Sequence, residues 1–87
     1  MESVANLGRA ADDRQALAAL GRRARRLRER LGIGIDALAD RAEIESRELR
    51  ALEAGLLDPS YDVLIAVARA LDVTSATLVD LAGNVDD

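Results

Sequence analysis

The sequence has no cysteine, histidine, lysine, phenylalanine or tryptophan, and a single tyrosine and a single proline. Without Cys and His there can be no disulfide, zinc finger, thiol nucleophile or imidazole base, although a chain without Cys suits any compartment. With one aromatic residue, Leu, Ala, Val and Ile must fill any core. No apolar run approaches the roughly 20 residues of a membrane span, and the N-terminus lacks the basic-then-apolar pattern of a signal peptide. A soluble cytoplasmic protein with no membrane contact is therefore expected. All twelve basic residues are Arg, which together with the alanine content points to a GC-rich genome rather than to a mechanism.

What is present favours helix. Eighty-seven residues suffice for one domain, and 49% apolar against 32% charged residues argues for a folded chain. Ala and Leu are the best apolar helix formers, and the β-branched residues are too scattered for strands. The fold class is all-α. Charge is unevenly distributed: residues 1–34 carry eight Arg against four acids, residues 35–87 four Arg against twelve acids, and the chain sums to −4. A basic face on an acidic body is the expected result.

Residues 1–11 show no period and are expected to form a flexible arm. Asp12 or Asp13 would start helix one, with Gln15 completing a capping box. Leu17, Leu20, Ala24, Leu27 and Leu31 then share one stripe, and Gly32 and Gly34 end the helix. A short second helix turns Ile35, Leu38, Ala39 and Ala42 inward. A third follows Glu43; with Glu45 as its cap, Ile44 and Leu49 stand at staple positions, Leu52 faces the core and Gly55 closes it. Ser60 caps a fourth helix through about Leu71. Thr74 or Ser75 caps a fifth through Leu78 and Leu81, stopped by Gly83-Asn84. The domain would occupy residues 12–82, with residues 83–87 as a frayed tail.

Two short helices joined by a tight turn behind a basic first helix fit a helix-turn-helix, a weak signal by itself because many bundles contain such a pair. More specific are Leu20-Gly21, the Leu27-Arg28-Glu29-Arg30-Leu31-Gly32 run, Leu38-Ala39, Glu53-x-Gly55, Pro59, Leu64, Ala68, Ala70-Leu71 and Leu78. In this order and spacing, the stretch from Leu20 to Leu81 resembles the phage-repressor (Cro-like, XRE) family of bacterial and phage regulators. The resemblance implies a compact five-helix domain that binds double-stranded operator DNA as a homodimer, without a cofactor. It implies a mostly buried ion pair between Arg28 and Glu53, the alternative being two solvated charges. It assigns base contact to Ser46, Arg47, Arg50 and Ala51, and phosphate contact to the positions of Gly34 and Ile35.

Periodicity agrees with part of this assignment. With Leu49 and Leu52 inward, the outer side of helix three carries Arg47, Arg50, Ala51 and Ala54. Arg can fork onto guanine O6 and N7, and Ala can touch a thymine methyl. The alternative is a solvated pair of arginines held by Glu43 or Glu53. Arg22, Arg25 and Arg26 lie opposite the apolar stripe of helix one, either as a phosphate clamp or as a solvated face.

Several positions depart from the family. Gly34 and Ile35 replace a hydroxyl cap and a Gln, Glu43 replaces the turn glycine, and Leu56-Leu57-Asp58 stands where basic residues are common. Phosphate contacts supply most non-specific affinity, so about 1–2 neutralised phosphates per subunit are expected. If exposed, Ile35, Leu56 and Leu57 would form an apolar patch suited to protein contact. The second reading is thus an interaction module, antitoxin-like or binding a polymerase or sigma subunit, that keeps the fold with a weakened DNA face. With no further domain in these residues, regulation would come from concentration or a partner protein. No convergent nucleophile, base and oxyanion arrangement is visible, so an enzyme is not expected.

Overall fold

The structure, a computed structural model, describes the backbone of residues 4–79 and the side chains from residue 13 onward. These residues form five helices and no strand: α1 (Val4–Leu31), α2 (Ile35–Ala42), α3 (Ser46–Glu53), α4 (Tyr61–Ala70) and α5 (Ser75–Val79). α1 packs on α3 and α5, α2 packs on α3 and α4, and α4 packs on α5. The core between them contains Ala24, Leu38, Ala39, Ala42, Leu49, Leu52, Val67, Ala68, Leu71 and Leu78.

Two features of α1 differ from the sequence pattern. The helix is continuous from Val4, so Asp12 and Asp13 lie inside it rather than at its start. A run rich in Ala and free of Pro propagates once a packed helix adjoins it, even where no apolar stripe marks it. Asp13, Arg14, Gln15 and Ala16 are all exposed, which is why the stripe only begins at Leu17. At the other end Leu31, expected inward, is exposed because the chain turns away at Gly32 (φ +73°). Leu81, Gly83-Asn84 and the tail at residues 83–87 lie outside the described residues.

The remaining boundaries follow local chemistry. Ser60 caps α4, its Oγ accepting from the Val63 N–H at 3.2 Å, and Thr74 caps α5, its Oγ1 accepting from the Thr77 N–H at 3.0 Å. α3 ends in a Schellman motif: the Leu56 N–H donates to Ala51 O (2.9 Å) and the Gly55 N–H to Leu52 O (3.0 Å), with Gly55 at φ +76°. The turn between α2 and α3 repeats the motif without glycine. The Ile44 N–H donates to Ala39 O at 3.0 Å while Glu43 sits at φ +59°, a left-handed conformation that costs a non-glycine residue about 1 kcal/mol. Ile44 and the fully buried Leu49 flank this turn on the core side and hold it in place.

Helix one lies unusually close to the end of α3. A Cβ on Gly21 would lie 2.5 Å from the carbonyl oxygens of Leu52 and Glu53. One on Gly55 would meet the Ala18 Cα at 3.0 Å. Ala18 and Gly21, one turn apart on α1, therefore let two backbones touch.

Candidate nucleic-acid interface

This close approach sets up the brace beneath α3. The Arg28 Nε donates to Glu53 Oε2 at 2.7 Å and its Nη2 to Glu53 Oε1 at 3.0 Å, a two-pronged pair with side chains only 12% and 8% exposed. The third guanidinium nitrogen, Nη1, donates to the Ile33 carbonyl at 3.0 Å. One arginine thus ties α1 to the end of α3 and to the connector that leads into α2. Its hydrogen bonds to the Glu53 carboxylate raise the Arg28 pKa above its ordinary value, outweighing the opposing effect of burial. A raised cation pKa contributes stability below that value and loses it only in strong alkali, so Arg28 stays cationic at every physiological pH.

With its C-terminus held and Leu49 and Leu52 fully buried, α3 turns its other side outward. Arg47, Arg50 and Ala54 are exposed; Ser46, Ala51 and Glu48 are half-buried at its edges. The helix runs between two shallow hollows of opposite character. One is lined by Arg25, Arg28, Ile35, Arg50, Glu53 and Ala54, which brings Arg25 of α1 beside Arg50. The other is lined by Asp40, Glu43, Ile44, Glu45, Ser46 and Glu48, and is acidic.

The other residues singled out in the sequence separate into groups. Arg25 also donates from its Nε to Glu29 Oε2 at 3.1 Å one turn along, which offsets part of its charge. Arg22 is exposed and Arg26 half-buried on α1, and neither lines the hollow that holds Arg50. Gly34 is the extended N-cap of α2 (φ −86°, ψ 177°) and makes no side-chain cap bond, so the first-turn N–H groups have no side-chain acceptor from their cap. The apolar patch does not form. Leu56 is 81% exposed, but Ile35 and Leu57 pack against the core, Ile35 because it stands three and four residues before Leu38 and Ala39. A lone exposed leucine is ordinary on a protein surface.

One residue at this face leaves no signal of its role in the sequence. Asp36, by position simply an acid that favours a helix start, has its Oδ1 2.6 Å from Ser46 Oγ and 3.8 Å from Arg50 Nη2. A carboxylate only accepts, so Ser46 donates its one O–H to Asp36 and faces any other ligand as an acceptor. Only the crossing of α2 over α3 brings positions 36 and 46 together, and no local spacing marks it. Gly21 does carry a signal: a glycine inside an Ala-rich helix opposes helix propensity and so implies a packing reason.

Among the described residues there is no group of three or more acids able to hold a metal ion, and no helix long and apolar enough to cross a membrane. What remains is a pair of short helices crossing through a tight turn at residues 43–45, the second braced from behind and polar in front, which is the architecture of a helix-turn-helix protein. The chain belongs to the helix-turn-helix domain family, whose model matches residues 19–82. That stretch contains the whole Leu20–Leu81 pattern and is consistent with its likeness to phage repressors. No curated protein and no solved structure matches the chain significantly.

Proposed function

We propose that this domain is a sequence-specific DNA-binding transcriptional regulator that lays α3 in the major groove of a palindromic site as a homodimer. The observation that carries this reading is the free side of α3. Arg47 and Arg50 project there from a helix whose two leucines are fully buried, and Arg25 joins Arg50 from α1. Arg47 and Arg50 read base edges, with Ala51 close enough for a thymine methyl. Ser46 acts at the lip of the groove. Arg25 grips the backbone, flanked by Arg22 and Arg26; the start of α2 at Gly34 and Ile35 is the proposed phosphate position, but the Asp36 charge in its first turn weakens its hold on a phosphate. A ligand of this kind implies a protein that works in the cytoplasm, with the genome.

Two hollows of opposite charge leave few positive contacts per subunit. Titrating a labelled random duplex with wild-type protein over a salt series is expected to give log K falling linearly with log[salt]. The expected slope is about −1 to −2 per subunit. Absence of binding even at low salt, in a protein that co-purifies with another polypeptide, would replace this reading with the interaction module.

A further inference from the structure

Two of the side chains proposed to meet bases converge on one carboxylate. Asp36 stands in the first turn of α2 with its side chain 83% exposed, accepts the Ser46 hydroxyl at 2.6 Å and lies 3.8 Å from Arg50 Nη2. Elementary chemistry gives this convergence three effects. Ser46 can accept from a base amino group but cannot donate to a phosphate while this bond stands. Arg50, which can sample many rotamers, is biased by a counter-charge 3.8 Å away on the side facing α2, so less entropy is lost when its fork meets guanine. A negative charge also occupies the start of α2, where the helix would otherwise attract phosphate. In open water the Asp36–Arg50 contact is weak, but it strengthens when a docked duplex excludes solvent.

We propose that Asp36 is a positioning residue that sets base specificity: it holds Arg50 and Ser46 for readout and repels the DNA backbone, so that affinity depends on matched bases. This inference rests on the DNA-docking reading above. It extends that reading by giving a role to an exposed acid that stands next to Arg50 and Ser46.

The test is Asp36→Asn, which keeps an acceptor for Ser46 and removes the charge. Two duplexes serve as probes, one enriched by the wild-type protein from a random library and a scrambled version of the same composition. The variant is expected to bind the scrambled duplex about three- to tenfold more tightly at low salt, since one repulsive charge has gone. Its preference for the enriched duplex is expected to fall about tenfold, a fraction of the discrimination one bidentate arginine supplies. In an Arg50→Ala background the first effect persists and the second disappears. A merely structural role would weaken both duplexes by the same factor and lower the melting temperature, and that result would overturn the proposal, as would unchanged affinities. A separate reading comes from the DNA-free protein, where the NMR order parameter of the Arg50 Nε–H is expected to drop in Asp36→Asn. If the wild type binds neither duplex, the docking reading has failed; an unchanged order parameter instead refutes the positioning itself.

Discussion

Replacing Glu53 by alanine is expected to destabilise the domain by about 3 kcal/mol, because the substitution leaves a nearly buried guanidinium without its counter-charge. The slight exposure of the pair, 12% and 8%, argues for the lower end of the range measured for such losses. Glu53 closes α3, where a carboxylate opposes the helix dipole, so only the Arg28 fork makes that position favourable. The loss extends beyond the pair. Arg28 also holds the Ile33 carbonyl, and an arginine drawn toward solvent would release the connector into α2. Removing both charges with side chains of similar bulk, Arg28→Met with Glu53→Leu, is expected to recover most of the stability, since apolar replacement of a whole buried pair is often neutral. Urea unfolding of Arg28→Met, Glu53→Leu and their double variant measures the coupling. A loss below about 1 kcal/mol in Glu53→Ala would mean that the pair behaves as a surface salt bridge.

Gly21→Ala tests the same junction from the other side. On helix propensity alone the change should stabilise α1 by about 1 kcal/mol. The structure reverses the sign. The added methyl would sit 2.5 Å from two backbone oxygens that cannot rotate away, so α1 must lift from the end of α3. Overpacking of this kind costs about 1–3 kcal/mol, and more where the obstacle is backbone, giving a net loss of about 2 kcal/mol. For a domain of this size that lowers the melting temperature by about 8–16 °C. Gln15→Ala, on an exposed stretch of the same helix, is expected to change stability by less than about 0.5 kcal/mol. A Gly21→Ala protein that melts higher than the wild type would show that the two backbones are not in contact. Lifting α1 would also stretch the Arg28–Glu53 pair, so the two variants should combine non-additively.

How far the amino-acid sequence alone reveals this fold depends on how local each signal is. The helices after the first are legible because their signals are local: Ser60 as a cap, Gly55 in its left-handed position, and the inward sets Leu38–Ala39–Ala42 and Leu49–Leu52. The Arg28–Glu53 connection comes from family likeness, not spacing, since residues 25 positions apart share no local rule. The start of α1 misleads because an acidic doublet favours a helix N-terminus but does not require one. The half-burial of Ile35 follows the inward stripe of α2, whereas no periodic signal marks Leu57, which lies in the loop after α3. Asp36 shows the deeper limit. Its partners Ser46 and Arg50 lie on another helix, and only the packing angle of α2 on α3 decides that they meet.

A net acidic chain still gathers positive charge near α3, as the proposed docking face requires. The positive residues near α3 are few but gathered, Arg25, Arg28 and Arg50 in one hollow with Arg47 exposed on the same helix, while the acids of the turn collect in the other. Under the proposed DNA reading, weak backbone attraction would leave the exposed Arg47 and Arg50 as the main source of discrimination.

The measurement that bears most directly on this is the ratio of affinities for a library-enriched duplex and a scrambled one, compared between wild type and Arg47→Ala/Arg50→Ala. Two bidentate guanine contacts supply about 2–6 kcal/mol of discrimination, so the ratio is expected to collapse by about 30-fold or more. Affinity for scrambled DNA should fall far less, and the melting temperature should hold, because both side chains are exposed. A double variant that still prefers the enriched duplex as strongly as the wild type would contradict α3 as the reading helix.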